Sequence, residues 1–211
     1  VATAGWVDRA RGSVLFSTGL IAGWDGAEVS RAVEEASKLP CSVENDAVAA
    51  AAGEWIFGAA RGCDHFVMVT IGTGIGGGAV VEGRLLRGAH GLANMLGHIV
   101  IERPGSPCTC GQSGCLEAYA GAKGRSADLA ARLARGLAPA VQLLDPECVF
   151  LSGGVAAAMP DLAAQVENAL AGEILAGRIR RVRVRNSAFP AAPGLLGAAA
   201  LARLGKSGAW H

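Results

Sequence analysis

Apolar and polar positions alternate in short blocks along the whole chain. A strand-like run ends at Val7 and another covers 13–16, with the polar stretch 8–12 as the turn between them. Over 26–39 the apolar residues Val29, Val33 and Ala36 recur at helical spacing, and Pro40 ends that helix. A short buried strand is expected at 41–43, followed by an alanine-rich helix from Asp46 to about Phe57. Residues 66–70 read as a strand entering the glycine run 72–78, with 79–81 as its hairpin partner. Turn formers dominate 99–114 and forbid regular structure there. Beyond them come an amphipathic helix over 127–144 closed by Asp145-Pro146, a strand over 148–151 and a helix over 161–170. An alternating strand over 181–185 and a helix over 195–204 complete the pattern. Strands alternating with helices predict an α/β fold with parallel as well as hairpin-connected strands. Neither an internal repeat nor a low-complexity linker interrupts it.

Composition narrows the class. Apolar residues make up 51% of the 211 positions, enough for a sizeable core in one large or two small domains. The 31 glycines have no collagen-like period, so they belong to tight turns and close backbone approaches. Apolar runs stay short of the roughly 18 residues a membrane helix requires, and no signal peptide opens the chain. These features predict a protein of the cytoplasm with no membrane role. A net charge of +1 argues against nucleic acid as the main partner. The basic run 178–185 alternates with Ile179, Val182 and Val184, which fits a strand face better than a nucleic-acid site. The chain opens mid-pattern at Val1 without methionine, and we expect it to be incomplete at its N-terminus.

His98 precedes Cys108-Thr109-Cys110-Gly111-Gln112-Ser113-Gly114-Cys115. Three thiolates and an imidazole in one turn-rich segment suit tetrahedral Zn²⁺, with Gly111 and Gly114 letting the backbone fold back. The alternatives are unliganded thiols, or a disulfide with one cysteine to spare, which a reducing compartment disfavours. Cys41, Cys63 and Cys148 read as isolated thiols, and His65 and His90 as surface or loop residues.

The strand followed by Gly-Thr-Gly over 72–74 offers backbone amides and the Thr73 hydroxyl to an anion. Many such loops are simply hairpins, and this one does not lead into a helix, so it is neither a dinucleotide fingerprint nor a P-loop. Gly153-Gly154 follows a second strand in the same way. Glu44-Asn45-Asp46 joins a strand to a helix. Asp46 has the chemistry of an N-cap and equally of a group that accepts a hydroxyl proton, with Asn45 bonding a polyhydroxylated ligand. Glu117 carries the same ambiguity, as a helix-start carboxylate or a ligand-facing one.

Taken in order, Val43-Glu44-Asn45-Asp46, Ile71 to Gly78, Gly97-His98, Cys108 to Glu117 and Leu151-Ser152-Gly153-Gly154 resemble the ROK family of repressors, open reading frames and sugar kinases. The segments Ala2 to Val7 and Phe16 to Ile21 resemble the corresponding stretch of N-acetylmannosamine kinases within it. The resemblance covers nearly the whole chain, and its zinc segment is the most specific part. It implies an actin-like ATPase (ribonuclease H-like) fold of two lobes, the N-terminal one incomplete. The expected division puts 1–48 with terminal helix 193–205 in the smaller lobe, and 49–192 with zinc segment 98–115 in the larger.

The resemblance also implies roles. Asp46 would be the base that deprotonates a sugar hydroxyl. Gly5, Thr18, Asn45, Asp46, His98 and Glu117 would contact a hexose or N-acylhexosamine such as glucose or N-acetylmannosamine. Gly72, Thr73, Gly74, Gly153 and Gly154 would hold ATP with Mg²⁺, and His98, Cys108, Cys110 and Cys115 a structural Zn²⁺. Dimers are common in the family, so a homodimer is expected.

Three departures qualify it. The family's first phosphate loop, an Asp followed by Gly-Gly-Thr, has no counterpart in these residues. Met95 stands where relatives carry a Glu, although Asn94 offers a carboxamide one position earlier. The connection from Tyr119 to Ala127 is also shorter than usual. The competing expectation is therefore a sugar-sensing, non-catalytic domain of a ROK transcriptional regulator, with sugar bound but not phosphorylated.

Overall fold

Short strands dominate the first fifth of the computed structural model, which describes residues 1–19, 21–122, 124, 127–189 and 193–204. Leu20, Gly205 at the end of the expected terminal helix, and Lys123, Arg125 and Ser126 of the connection after Tyr119 lie outside the described residues. Strands β1 (Ala2–Thr3), β2 (Trp6–Asp8) and β3 (Ser13–Phe16) precede helix α1 (Val29–Ser37). β2 and β3 form the antiparallel hairpin that the polar turn predicts. The next strand, β4, is Glu44–Asn45 rather than 41–43. It pairs in parallel with β1, Ala2 opposite Glu44, and the ladder begins only where β1 offers partners.

Helix α2 (Asp46–Phe57) then leads into β5 (Phe66–Ile71), β6 (Ile75–Val81) and β7 (Arg84–Leu85). Helices α3 (Leu116–Ala120) and α4 (Leu129–Leu144) precede β8 (Cys148–Ser152), and α5 (Gly154–Ala158), α6 (Leu162–Glu173), β9 (Arg183–Asn186) and α7 (Pro193–Leu204) follow. The main sheet has the order β7-β6-β5-β8-β9. β5 is antiparallel to β6 and parallel to β8, and β8 is parallel to β9. β9 begins two residues later than predicted, with Val184 buried between exposed arginines, while Ile179 lies outside it, 86% exposed.

Both faces of the sheet's centre are covered, so β5 and β8 read as continuous apolar runs. Val67, Val69 and Ile71 of β5 join Leu133 and Leu137 of α4 and Val166 of α6 in one core. Phe66 and Met68, pointing the other way by the period of two, join Phe150 and the alanines of α2.

The glycine run is divided by this packing. The expected loop 72–78 is a turn only over 72–74; Gly76, Gly77 and Gly78 are strand residues of β6. A Cβ on Gly76 would come 2.6 Å from Cβ of Ala47, and one on Gly78 would come 2.7 Å from Cβ of Ala51. These glycines exist so that α2 can lie on the sheet. α7 packs along α2 by the same device, where the backbones of Gly53 and Gly197 approach.

Cys63 and Cys148 are not isolated as the sequence suggests. Their sulfurs lie 3.9 Å apart, because the loop before β5 runs beside the start of β8. Burial, with Cys63 beside it, pushes the Cys148 thiol up to about 12. Among the described residues no helix is long and apolar enough to cross a membrane.

Candidate functional site

A cavity of about 400 Å³ opens where β1, β2 and β4 face the near end of the main sheet. Its sides come from three directions. Gly5 and Thr18 border it from the first strands, and Asn45 and Asp46 from the β4–α2 junction. Gly72, Thr73 and Gly74 border it from the β5–β6 turn, with Gly153 beside them. His98, Glu117 and Met95 close the third side. Gly154 is not part of the wall; it starts α5, with Gly153 at +93° in φ supplying the sharp turn before it.

Asn45, not Asp46, caps α2. Its Oδ1 accepts from the amides of Ala47 at 3.0 Å and Val48 at 3.1 Å, while its Nδ2 donates to the Gly5 carbonyl at 3.0 Å. Asp46 is thus the first helical residue and is freed from capping. Its Oδ1 touches the Ala47 amide at 2.9 Å. Apart from the amides of Ala47 and of Asp46 itself, no group among the described residues bonds this carboxyl, and Asp46 borders the cavity. Solvent reaches this carboxyl, yet the surrounding walls strip enough water to raise its pKa, against the lowering by the Ala47 amide and by its own.

The other nearby carboxylates are already engaged. Glu44, 8% exposed, pairs with Arg9 at 3.1 Å and Arg87 at 3.1 Å. Glu54, 1% exposed, accepts from Ser187 Oγ at 2.6 Å and from the amides of Ala59 and Ala188 at 2.8 and 3.0 Å, tying α2 to the segment after β9. Burial at such positions is tolerated only with this degree of satisfaction.

Glu117 sits in the first turn of α3 and is held at both oxygens. Oε2 accepts from the Ile75 amide at 3.0 Å, and Oε1 from Thr109 Oγ1 at 3.0 Å. The Gly72 amide is spent on the Gly74 carbonyl at 3.0 Å. The turn therefore offers an anion the Thr73 hydroxyl and the amides of Thr73 and Gly74, fewer groups than the sequence suggests.

Behind the cavity, His98, Cys108, Cys110 and Cys115 bring four donor atoms within 4.8 Å of one another. Cys108 Sγ is 3.6 Å from His98 Nδ1, and Cys110 Sγ is 3.7 Å from Cys115 Sγ. Bonds of about 2.3 Å to sulfur and 2.0 Å to nitrogen in a tetrahedral zinc site separate neighbouring donors by roughly 3.5–3.8 Å, so the residues fit the ion. Burial, together with the neighbouring Cys110 and Cys108, pushes the Cys115 thiol up to about 12. Burial acts upward on Cys110 as well, but hydrogen bonds from the Gln112 amide and the adjacent thiols outweigh it, and its pKa is lowered. Crowded thiols of this kind ionise together only around a cation.

Two neighbours of the site escaped the sequence reading. The Trp6 ring stacks on the His98 imidazole, centroids 5.4 Å apart and planes at 21°. Thr109, lodged between two cysteines, bonds Glu117. Trp6 gave no local signal, because its partner lies on a distant segment; Thr109 could have been flagged by its place inside the cysteine motif. Asn94 borders the cavity beside Met95. It adopts a φ of +71° and its Nδ2 donates to the Leu86 carbonyl.

The sequence pattern of the ROK family matches residues 1–128. A glucokinase from Halalkalibacterium halodurans is 44% identical over 121 residues, 57% of this chain and 36% of that protein. The xylose repressor of Bacillus subtilis is 39% identical over 100 residues, 47% of this chain and 26% of the repressor. The match thus spans little more than a third of that glucokinase's length. Among solved structures, a ROK family glucokinase from Streptomyces griseus in complex with glucose and AMPPNP has a TM-score of 0.86 at 31% identity, covering 96% of this chain and 80% of that one. The mixed α/β architecture is the actin-like ATPase fold of the ROK sugar kinases. With the family pattern over more than half its length, this chain belongs to the ROK family.

Proposed function

We propose that the cavity is the sugar site of an ATP-dependent kinase for a hexose or N-acylhexosamine, glucose or N-acetylmannosamine, in which Asp46 is the general base. The observation that carries this reading is the convergence of the Asp46 carboxyl, bonded only by backbone amides, with Glu117, His98 and the Gly72–Gly74 turn on one cavity. The likeness to glucokinases supports it. In this reading the cleft lies between a smaller lobe of 1–48 with helix α7 and a larger lobe of 49–192.

The division of labour follows from the contacts. Asn45 fixes the start of α2 and so aims Asp46. A sugar hydroxyl beside Oδ2 gives up its proton to Asp46 as it attacks, and the raised pKa brings the base closer to neutral pH, where proton transfer is most effective. Glu117 and His98 accept or donate to the remaining hydroxyls and hold the ring still, the positioning on which phosphoryl transfer chiefly depends. ATP with Mg²⁺ would supply the phosphoryl group; Thr73 and Gly74 would hold its phosphates, and Gly153 would lie toward the adenosine. Zn²⁺ on His98, Cys108, Cys110 and Cys115 is structural, since four protein ligands leave no open position.

The test is Asp46→Asn in the intact protein, with glucose and N-acetylmannosamine as substrates. Turnover should fall below a tenth of wild type while sugar affinity stays within a few-fold. Wild-type kcat/KM should fall as the pH drops through the raised Asp46 pKa, and this limb should vanish in the variant. The stability effect has the opposite sign. A carboxyl titrating higher in the folded state contributes fully below the ordinary carboxylate range, and loses that contribution as pH rises through its folded pKa. Unimpaired turnover in Asp46→Asn would remove the assignment.

A specific observation favours a second reading. Met95, which has no carboxylate to offer a hydroxyl, borders the cavity, and a repressor is among the relatives. Sugar sensing without transfer predicts hexose binding with no ATP consumption under any condition.

A further inference from the structure

Glu117 is the one cavity carboxylate whose two oxygens are both fixed, and the fixing groups come from different segments. Oε2 is held by the Ile75 amide, which belongs to the rigid start of β6. Oε1 is held by the Thr109 hydroxyl, which sits between Cys108 and Cys110 in the four-donor loop. A carboxylate offers about four acceptor positions, so two bonds orient it and leave capacity for a ligand. The Ile75 bond alone allows the carboxylate to pivot about that contact; the Thr109 bond stops the pivot.

The surroundings make this loop able to impose a position. The Thr73 carbonyl accepts from the Ala122 amide at 3.1 Å, so the end of α3 is pinned to the β5–β6 turn. On the other side, the Cys108 amide donates to the Gln112 carbonyl at 2.8 Å and the Gly111 amide to the Cys108 carbonyl at 3.0 Å, closing the loop on itself. Thr109 is carried on this closed loop and reaches across to α3.

We infer that Thr109 is a positioning residue for the bound sugar: through its hydroxyl it sets the rotamer of Glu117, and so links the order of the four-donor loop to sugar affinity. This inference rests on the reading of the cavity as a hexose site. It adds to that reading a polar path from the loop to the ligand that does not pass through the ring of His98. Thr109 itself does not border the cavity, so its effect on a ligand runs only through Glu117.

Isothermal calorimetry on the whole chain with glucose and with N-acetylmannosamine tests this, alongside the metal content of each protein. Thr109→Val keeps the shape and removes the donor; Thr109→Ser keeps the donor. For whichever sugar the wild type binds, the Val variant should bind about three- to tenfold more weakly, since the lost bond is charge-assisted but solvent-exposed. The Ser variant should recover to within about twofold, with metal content equal in all three. In a Glu117→Ala background, which removes both acceptor oxygens, Thr109→Val should cost little more, as expected for two residues acting as one unit. Equal affinities in all three proteins overturn the inference, as does a weakening matched by loss of metal, because the effect then runs through the ligands. No binding of either sugar by the wild type overturns the hexose reading itself, and the inference with it.

Discussion

The five-stranded sheet and the segment from His98 to Glu117 lie side by side and are ordered by opposite means. The sheet is filled from both faces: Phe66, Val67, Met68, Val69 and Ile71 of β5 are each no more than 1% exposed. From the 3₁₀ turn Leu96–His98 to Cys115 the backbone adds only two isolated bridges, and between 98 and 115 only Gly114 and Cys115 are buried. What converges there instead is donors: four metal-type ligands, and outside them a brace in which Arg132 bonds Glu102 at 2.7 Å and lies 4.4 Å over the Tyr119 ring. Apolar burial stabilises without specifying direction; ligation and hydrogen bonds specify direction with little burial. A site that must hold Glu117 and His98 in fixed rotamers gains more from the second.

Removing one ligand is the strongest way to break the contrast. Structural zinc in small domains contributes on the order of 10 kcal/mol or more of apparent binding energy, all of it dependent on a complete donor set. In Cys110→Ser we expect loss of bound zinc and of amide exchange protection across 98–117, while β5 and β8 keep theirs. Elemental analysis and hydrogen exchange together read this out. Less than a third of an equivalent of zinc in the wild-type protein, purified without chelator, would rule out the ion. Uniform loss of protection in the variant would show that the two regions are one cooperative unit.

The converse change probes the sheet. Phe150 is fully buried and meets Phe66 edge to face, centroids 5.7 Å apart. Phe150→Ala should destabilise the whole domain by about 3–5 kcal/mol in denaturant unfolding. Below that transition, zinc content and sugar affinity should match the wild type. A selective loss of zinc would mean that the donor loop depends on the core behind it.

The same contrast explains what the sequence could reveal. Strands at 66–71 and 148–152 announce themselves because burial on both faces demands unbroken apolar runs. The four donors announce themselves by spacing, since a metal needs its ligands in one compact segment. Gly76–Gly78 misled because glycine has no side chain to carry a period; only the closeness of Ala47 and Ala51 reveals a strand. The cap at Asn45 rather than Asp46 is a difference of one residue between two side chains of equal capping ability, decided by the pairing of β4 with β1. Long-range pairs had no signal at all. Trp6 on His98 and Cys63 beside Cys148 join segments whose approach only the fold creates. Of the sugar-site residues inferred from the family, all border the cavity, but the sequence did not show that Asn45 and Glu117 arrive there with their polar atoms already engaged.

Met95 offers the smallest expected effect and bears on the boundary between the two regions. It stands just before the 3₁₀ turn Leu96–His98 and borders the cavity, and a thioether accepts no strong hydrogen bond. A carboxylate there would gain a charge-assisted bond to a sugar hydroxyl, worth about 1.5–3 kcal/mol in isolation. Against this, Asp46 and Glu117 border the same cavity. A third negative group would repel both, and would raise the Asp46 pKa beyond what desolvation already does. The bond should outweigh the repulsion, because the charges are separated by solvent in the free protein and by sugar hydroxyls in the complex. Met95→Glu should therefore bind glucose or N-acetylmannosamine about tenfold more tightly by calorimetry at neutral pH, roughly 1.4 kcal/mol. The gain should shrink as the pH falls and the new carboxyl is protonated, opposite to what added bulk or a repacked loop would give. Unchanged or weaker binding at every pH would place the Met95 side chain away from the sugar. The donor loop would then orient His98 and Glu117 without setting the residue that precedes them.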